Sequence, residues 1–567
     1  MTRLGGPLQA LTDVFRNPDL GRLQLSWAGV SFAMWAFAIA LGVFAFDAAG
    51  AAAVGLAGMA RVLPGAFAAP FAGVLGDRHP RRSVLIGSTL AVTLVLALAA
   101  LAVAVGAPAW SVFALAGLFT VVFSAYIPAE AALLPQLAST PQELSAANVA
   151  HSVMDSIGFL GGSILTGVLL AFTSVQAVFA TSAIAAAGSL LAVATIRADS
   201  RPDYAGGVDA GGVIRQTAVG FRALLADPPL RLLGGCLTLL AFVEAAVDVL
   251  MVIVALDLLG LTDASVGYMN AAWGVGALLA GAVLAVLINR GHLVACLVVG
   301  SLLTGAAAAL PGVWPAVLAA YAAWFGVGFG YTLVEVAANT LLQRLGDDEV
   351  LARTRGSLET ARLVAMALGS AAVAALVALF GIREAVLAIA AVLPLLVALR
   401  WSRLRAYEMG APVAERHFSL LRADSIFAPL PLATLERLTH DLVELEAEAG
   451  RELITQGDFG DRFYLIDAGR VEVIEDGVRC AEEGPGESFG EIALLRGEPR
   501  TATVRALEPT RLLALDRERF IAAVTGHGRA AQVADGVIEG RLGQDRDPTS
   551  AASAPGQSSG SSGGASR

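Results

Sequence analysis

Lysine is missing from the 567 residues; all 38 basic side chains are arginine. Its absence excludes a phosphate loop of the Gly-Lys-Ser/Thr type and a Schiff-base lysine. Cysteine is nearly as scarce: Cys236, Cys296 and Cys480 lie too far apart for a short metal or redox motif and read as small buried hydrophobes. The six histidines, His79, His151, His292, His417, His440 and His527, show no paired ligand spacing, so metal chemistry is set aside. No pairing of nucleophile and base supports an enzyme. Charge is sparse as well, at 15% of residues against about 25% in a soluble domain, while 56% are hydrophobic. The deficit is uneven. Residues 1–410 carry 21 Arg and 22 acids, whereas residues 411–567 carry 17 Arg and 26 acids and hold most of the formal net charge of −10. Two differently solvated parts meet near residue 411.

The first part consists of long apolar runs. Crossing about 30 Å of hydrocarbon takes roughly 20 helical residues. Twelve spans are predicted, at about 23–46, 50–75, 84–106, 110–134, 146–171, 174–196, 230–257, 265–288, 293–311, 314–343, 357–380 and 383–402. The first 22 residues are polar and carry no cleavable signal pattern. With the amino terminus inside, 18 of the 21 arginines fall in cytoplasmic segments; Arg383 is external, and Arg61 and Arg362 lie within or at the end of spans. An even span count returns the carboxyl terminus to the cytoplasm. Fragments also recur at a nearly constant offset. Asn17-Pro-Asp-Leu-Gly-Arg-Leu23 matches Asp227-Pro-Pro-Leu-Arg-Leu-Leu233, Gly73–Arg78 faces Gly281–Val286, and Leu133–Gln136 resembles Thr340–Gln343. This points to two six-helix halves joined by the charged 197–222 segment.

After the second span stands Gly73-Val-Leu-Gly-Asp77-Arg78-His-Pro-Arg81-Arg82. It resembles the signature loop of the major facilitator superfamily, Gly-x-Leu-x-Asp-Arg-x-x-Arg-Arg. In that reading Gly73 permits close helix approach, Asp77 pairs with a helix end or an arginine, and Arg78, Arg81 and Arg82 hold the loop at the cytoplasmic face. The plain alternative is a positive-inside anchor. Pro18-Asp-Leu-Gly-Arg22 and the stretch Ala131–Asn148 are similar to the drug-efflux and secretion-effector branch of that superfamily. Gly158-Phe-Leu-Gly-Gly-Ser163-Ile-Leu-Thr166-Gly167 resembles the antiporter motif of that branch, with Ser163 where proline and Thr166 where glycine is expected. That departure leaves the direction of transport open.

Ionisable residues inside spans are costly and by default face a partner or a water-filled cavity. The candidates for proton or substrate coupling are Arg61, Glu130, Asp155, Glu244, Asp248 and Glu335. Glu244 and Asp248 are four apart, share one helix face, and as a pair can bind and release a proton. Glu130 and Glu335 have a plainer alternative, pairing with loop arginines at span ends.

Beyond a helical and polar linker at 404–417, the pattern turns to short alternating strands, read at Leu442–Glu446, Phe463–Asp467, Val471–Ile474, Ala502–Ala506 and Leu512–Asp516. Gly457, Gly469, Gly477 and Gly486 mark turns, and helices are expected near 431–441, 517–524 and 529–542. The result is a small β-roll. Within it, Phe489-Gly-Glu-Ile-Ala-Leu-Leu495 followed by Pro499-Arg-Thr-Ala-Thr-Val504 resembles the phosphate-binding cassette of cyclic nucleotide-binding domains. Phe427–Pro431, Gln456-Gly-Asp458 and Asp467–Val471 agree with the same family. The resemblance implies that Gly490, Glu491, Ile492 and Ala493 cradle a cyclic phosphate and that Arg500 neutralises it. It further implies that Glu491 accepts from the ribose 2′-hydroxyl and that Thr501 adds a hydroxyl donor. A fork of guanidinium donors and backbone amides suits such an anion. The fold retained without a ligand is the alternative.

The expected whole is an all-α polytopic membrane protein with a cytoplasmic β-roll: a transmembrane domain at 1–403, the linker at 404–417, the nucleotide domain at 418–542 and a disordered tail at 543–567. It is read as a secondary transporter of the bacterial inner membrane that exports a small molecule in exchange for protons. Cyclic nucleotide would regulate it, with cAMP expected and cGMP the alternative. No cofactor is expected. The partners are the bilayer, a small-molecule substrate and the nucleotide. No helix-turn-helix follows the β-roll, so nucleic acid is not expected. A receptor that has lost transport is the second reading; a channel is disfavoured because no Thr-Val-Gly-Tyr-Gly filter is present.

Overall fold

The computed structural model describes residues 14–138, 140–197, 210–287, 293–345, 348–430, 432–526, 530 and 532–537. It comprises two compact units, Met1–Glu408 and Met409–Arg567.

The first unit is helical: α1 Pro18–Arg78, α2 Arg81–Ala104, α3 Ala109–Leu137, α4 Pro141–Phe172, α5 Val175–Ala194, α6 Ala210–Ala226, α7 Pro228–Ile253, α8 Ala264–Leu287, α9 Leu293–Val313, α10 Val317–Leu345, α11 Asp348–Phe380 and α12 Ile382–Ala423. Among the described residues, eleven helices are long and apolar enough to cross a membrane, where twelve spans are expected from the sequence. The difference lies in α1, in which both of the first two expected spans fall. It is interrupted at Ala49 and Gly50, whose φ of 67° and ψ of −158° only glycine adopts without strain. Both α1 and α7 start on an Asx–Pro pair. The Asn17 side chain accepts from the N–H groups of Asp19 and Leu20, and that of Asp227 from Leu230, while proline has no N–H to leave unpaired. The expected connection at 197–222 is helical from Ala210 onward as α6, and residues 198–209 lie outside the described residues.

In α7, 72% of the apolar window is buried, against 28% in α11, so α7 is an inner helix and the ionisable pair it carries sits in the bundle. Leu94, Leu98 and Leu101 of α2 are exposed on one face, as a lipid-facing stripe requires. Small residues set the helix spacing. A Cβ on Gly158 would lie 2.7 Å from Ser31 and one on Gly162 would lie 2.9 Å from the Phe32 carbonyl, so the glycine run of α4 presses against α1. Ser163 and Thr166 of that run are buried. Cys236 and Cys296 are buried as expected, but Cys480 is exposed, because it lies on an edge strand.

The second unit begins within α12, whose range includes 404–417, and continues with α13 Leu432–Asp441. Eight strands follow: β1 Val443–Ala447, β2 Glu452–Ile454, β3 Arg462–Ala468, β4 Val471–Glu475, β5 Val478–Glu483, β6 Ser488–Phe489, β7 Thr503–Ala506 and β8 Thr510–Asp516. Helix α14 Glu491–Arg496 separates β6 from β7, and α15 Arg517–Thr525 follows β8. The strands form two antiparallel sheets, ordered β1-β8-β3-β6 and β2-β7-β4-β5. β3 is buried on both faces. Phe463 and Leu465 enter a core with Phe427 and Phe520, and Tyr464 and Ile466 enter another with Phe489 and Val504. Strands β2, β5 and β6 were not expected from the sequence: β5 is an edge strand with five exposed residues, and β6 has only two residues.

Candidate functional site

Three groups of polar side chains stand out, two in the first unit and one in the second. In the second, β6 ends at Phe489 and the chain turns at Gly490, with φ of 91°, into the six-residue α14. Arg500 follows on the way to β7. Its backbone N–H donates to the Asp458 carbonyl at 2.8 Å, and its own carbonyl accepts from Gly457 N–H at 2.9 Å. The Gln456-Gly-Asp458 turn therefore fixes where Arg500 starts. Its side chain is buried to 5% exposure and donates through Nη1 to the Gly490 carbonyl at 2.8 Å and through Nη2 to the Arg462 carbonyl at 2.7 Å. Asp461, largely exposed, has Oδ1 3.7 Å from Nη2.

Two glycines make room for the guanidinium: a Cβ on Gly490 would lie 2.7 Å from Nη1, and one on Gly460 3.1 Å from Cζ. Burial pushes the Arg500 guanidinium below its ordinary pKa, while Tyr464, Asp461 and Glu491 favour its charge. Burial likewise raises the Tyr464 hydroxyl, with Asp461 adding to the effect. Glu491 is fully buried, Ala493 nearly so, and Ile492 and Thr501 are half-buried. The expected cassette is thus gathered around one fixed guanidinium. Sequence reasoning had not named Tyr464 or Arg462, whose side chain and carbonyl face Arg500; their place in β3 reads only as strand alternation.

In the first unit, Arg61 of α1 and Asp248 of α7 line a cavity of about 60 Å³ with Trp35, Asn270 and Ser370, which has room for a few water molecules. Arg61 lies within electrostatic range of Asp248 and Glu244. Glu244 accepts from the Tyr331 hydroxyl at 2.7 Å, and Glu335, also of α10, pairs with Arg362 Nη2 of α11 at 3.3 Å. Glu244 feels Glu335 and Arg362 as well. Three carboxylates and two guanidiniums so form one chain across α1, α7, α10 and α11. Tyr331 was not foreseen: a tyrosine in an apolar span carries no charge to single it out.

Asp155 and Glu130 belong to a different group. Asp155 Oδ1 accepts from Ser31 at 2.9 Å, and Glu130 Oε1 lies 3.2 Å from His151 Nδ1. Of the loop motif, Arg81 donates to the Ala132 carbonyl at 3.0 Å and Arg82 to Ala194 at 2.8 Å. Gly73, Asp77 and Arg78 fall in the last turns of α1, and their side chains lie outside the described residues.

Against known proteins, the Major Facilitator Superfamily model matches residues 25–370 and the cyclic nucleotide-binding domain model matches residues 444–527. Neither family is a catalytic one. A cAMP-dependent protein kinase regulatory subunit from Yarrowia lipolytica is 39% identical over 112 residues, 20% of this chain and 30% of the relative. An uncharacterized protein of Mycobacterium tuberculosis is 38% identical over 117 residues, 20% of this chain and 23% of the relative. The chain thus spans less than a third of the length of either. The co-crystal structure of the regulatory domain of Toxoplasma gondii PKA with cAMP is 32% identical, covering 19% of this chain and 44% of that one, with a TM-score of 0.19. With eleven apolar helices among the described residues and a superfamily match over more than half its length, the chain is a multi-pass membrane protein that belongs to the major facilitator superfamily and carries a C-terminal cyclic nucleotide-binding domain.

Proposed function

We propose that the protein is a secondary transporter of the drug-efflux and secretion-effector branch, exporting a small molecule in exchange for protons under control of cytoplasmic cAMP. The observation that carries transport is the half-buried cluster of Arg61, Asp248, Glu244, Tyr331, Glu335 and Arg362, beside a cavity between helices of both sequence halves. Glu244, Asp248 and Glu335, with Glu359 also near Arg362, outnumber the two guanidiniums, and a bound proton reduces the excess negative charge. The Asx–Pro starts of α1 and α7 support two related halves, and dividing α1 at Gly50 gives twelve spans. The arginine distribution supports both ends of the chain in the cytoplasm, and a bacterial inner membrane is the proposed location. Superfamily membership supports transport over a receptor that has lost it.

For regulation, Gly490, Glu491, Ile492, Ala493, Arg500 and Thr501 are the nucleotide cassette, and the neighbouring Arg500 and Glu491 suit the phosphate and the ribose. Domain limits of 1–403, 404–417, 418–542 and 543–567 complete the reading. The test is a proteoliposome assay with ethidium as probe and an imposed pH gradient, with and without cAMP. Gradient-dependent flux is expected that cAMP alters in the native chain but not in Arg500→Ala. Flux indifferent to the gradient removes proton coupling, and flux indifferent to cAMP in the native chain removes regulation.

A further inference from the structure

The second polar group, around His151, is unused by that scheme. His151 of α4 caps a column of rings built from three helices. Phe119, Phe123 and Tyr126 of α3 stack at centroid distances of 5.7 and 5.8 Å, Trp27 of α1 lies 5.9 Å from Tyr126, and the His151 ring lies 4.6 Å from Trp27 at an interplanar angle of 21°. The column fixes the imidazole so that Nδ1 faces Glu130 Oε1 at 3.2 Å. Both atoms are buried, and neither has another hydrogen-bond partner among the described residues.

That approach is informative. A carboxylate oxygen is an acceptor, and so is the unprotonated nitrogen of a neutral imidazole. Two acceptors facing each other in a buried site repel, whereas one proton between them turns the contact into a charge-assisted hydrogen bond. The indole face of Trp27 further favours an imidazolium. We propose that His151 Nδ1 and Glu130 Oε1 hold one proton between them, forming a second protonatable site distinct from the Glu244 and Asp248 group, with Trp27 as its aromatic wall.

The charged and titratable groups that face it are few. From α3 they are Glu130 and Tyr126, whose hydroxyl is bonded to Ser26 at 3.1 Å. Asp155, one turn along α4, is held by Ser31 of α1. The described residues of α5 contain no titratable side chain, and those of α8 only Tyr268, which packs at Gly167 four turns away. The site thus has one cation-forming ring and two carboxylates, and, with the shared proton kept at Nδ1, its charge changes by one when the ring gains or loses its Nε2 proton.

Only its role as a second proton in the transport cycle rests on the transport reading; the site itself does not. Intrinsic tryptophan emission of the full chain in lipid nanodiscs, titrated from about pH 9 to 5, reads it, because an imidazolium stacked on an indole quenches it. A quenching transition is expected within the usual histidine range of about pH 5 to 8. It should be lost in Trp27→Phe and in His151→Gln, displaced by about one pH unit or more in Glu130→Gln, and unchanged in Glu244→Gln. Ring ¹⁵N shifts of labelled histidine give the same midpoint without tryptophan and should persist in Trp27→Phe. A native chain with no transition, or one that survives His151→Gln, overturns the site. Neither result touches proton-coupled flux, and loss of gradient-dependent ethidium flux would leave the His151 transition in place.

Discussion

Arg500 donates from both terminal guanidinium nitrogens to protein carbonyls, those of Gly490 and Arg462, and so stands preorganised before any anion arrives. Charge-assisted hydrogen bonds contribute about 1.5–3 kcal/mol each. Arg500→Ala should therefore weaken cAMP binding by at least about tenfold in calorimetric titration, and Arg500→Lys should not restore it, since a lysine ammonium cannot hold two carbonyls and a phosphate in one plane. Native-like affinity in Arg500→Lys would show that the fork geometry is unimportant. In the membrane unit, Tyr331→Phe removes the 2.7 Å bond to Glu244 without altering charge. Gradient-driven ethidium flux should fall in that variant by about five- to tenfold if the hydroxyl tunes the carboxylate, and it should fall to background in Glu244→Gln, which cannot carry a proton.

At the scale of elements, glycines govern how helices meet. A Cβ on Gly267 of α8 would lie 2.4 Å from the Gly167 backbone nitrogen of α4, so Gly267→Ala must push the two helices apart. About 1–3 kcal/mol of destabilisation is expected, read as a lower melting temperature of the purified protein, whereas Gly281→Ala, with open space at its Cβ, should be silent. In the second unit, Phe463→Ala removes a fully buried ring stacked 4.8 Å from Phe520 and should cost about 3–5 kcal/mol. These contacts also show what can be read from sequence. Long apolar runs give their helices directly, and short runs rich in apolar, β-branched or aromatic residues between turn residues give β3, β4 and β8, although β3 is buried on both faces and shows no alternation. The interruption at Gly50 and the polar edge strand β5 leave no such signal. In the sites, charge inside an apolar span draws attention to Glu244 and Asp248, and motif spacing to Arg500. Tyr331, Trp27 and Tyr464 are ordinary core residues until the packing shows what they touch.

For the whole molecule, control by nucleotide is a statement about free energy. If cAMP shifts the balance between transport states by some factor, the state of the transporter must shift cAMP affinity by that same factor. Typical couplings of 1–3 kcal/mol correspond to about 5- to 150-fold. Helix α12 includes the 404–417 segment, and towards its distal end Arg416 Nη2 lies 2.7 Å from Oδ1 of Asp467, near the end of β3. Asp467 is buried and is held as well by Arg511. If α12 transmits the nucleotide state, Arg416→Ala should leave cAMP binding nearly intact, since Arg511 still compensates the carboxylate, yet shrink the effect of cAMP on flux. The reciprocal measurement is the stricter one. On the proposed proton-coupled cycle, Glu244→Gln fixes a neutral side chain at that position and so should favour one transport state. Its cAMP dissociation constant should then differ from that of the native chain, by no more than the ratio of the two states' cAMP affinities, and combining it with Arg416→Ala should return the constant towards the native value. If Glu244→Gln and the native chain bind cAMP equally while cAMP still alters native flux, the variant does not bias the states; if Arg416→Ala leaves the flux effect at full size, α12 is not the route.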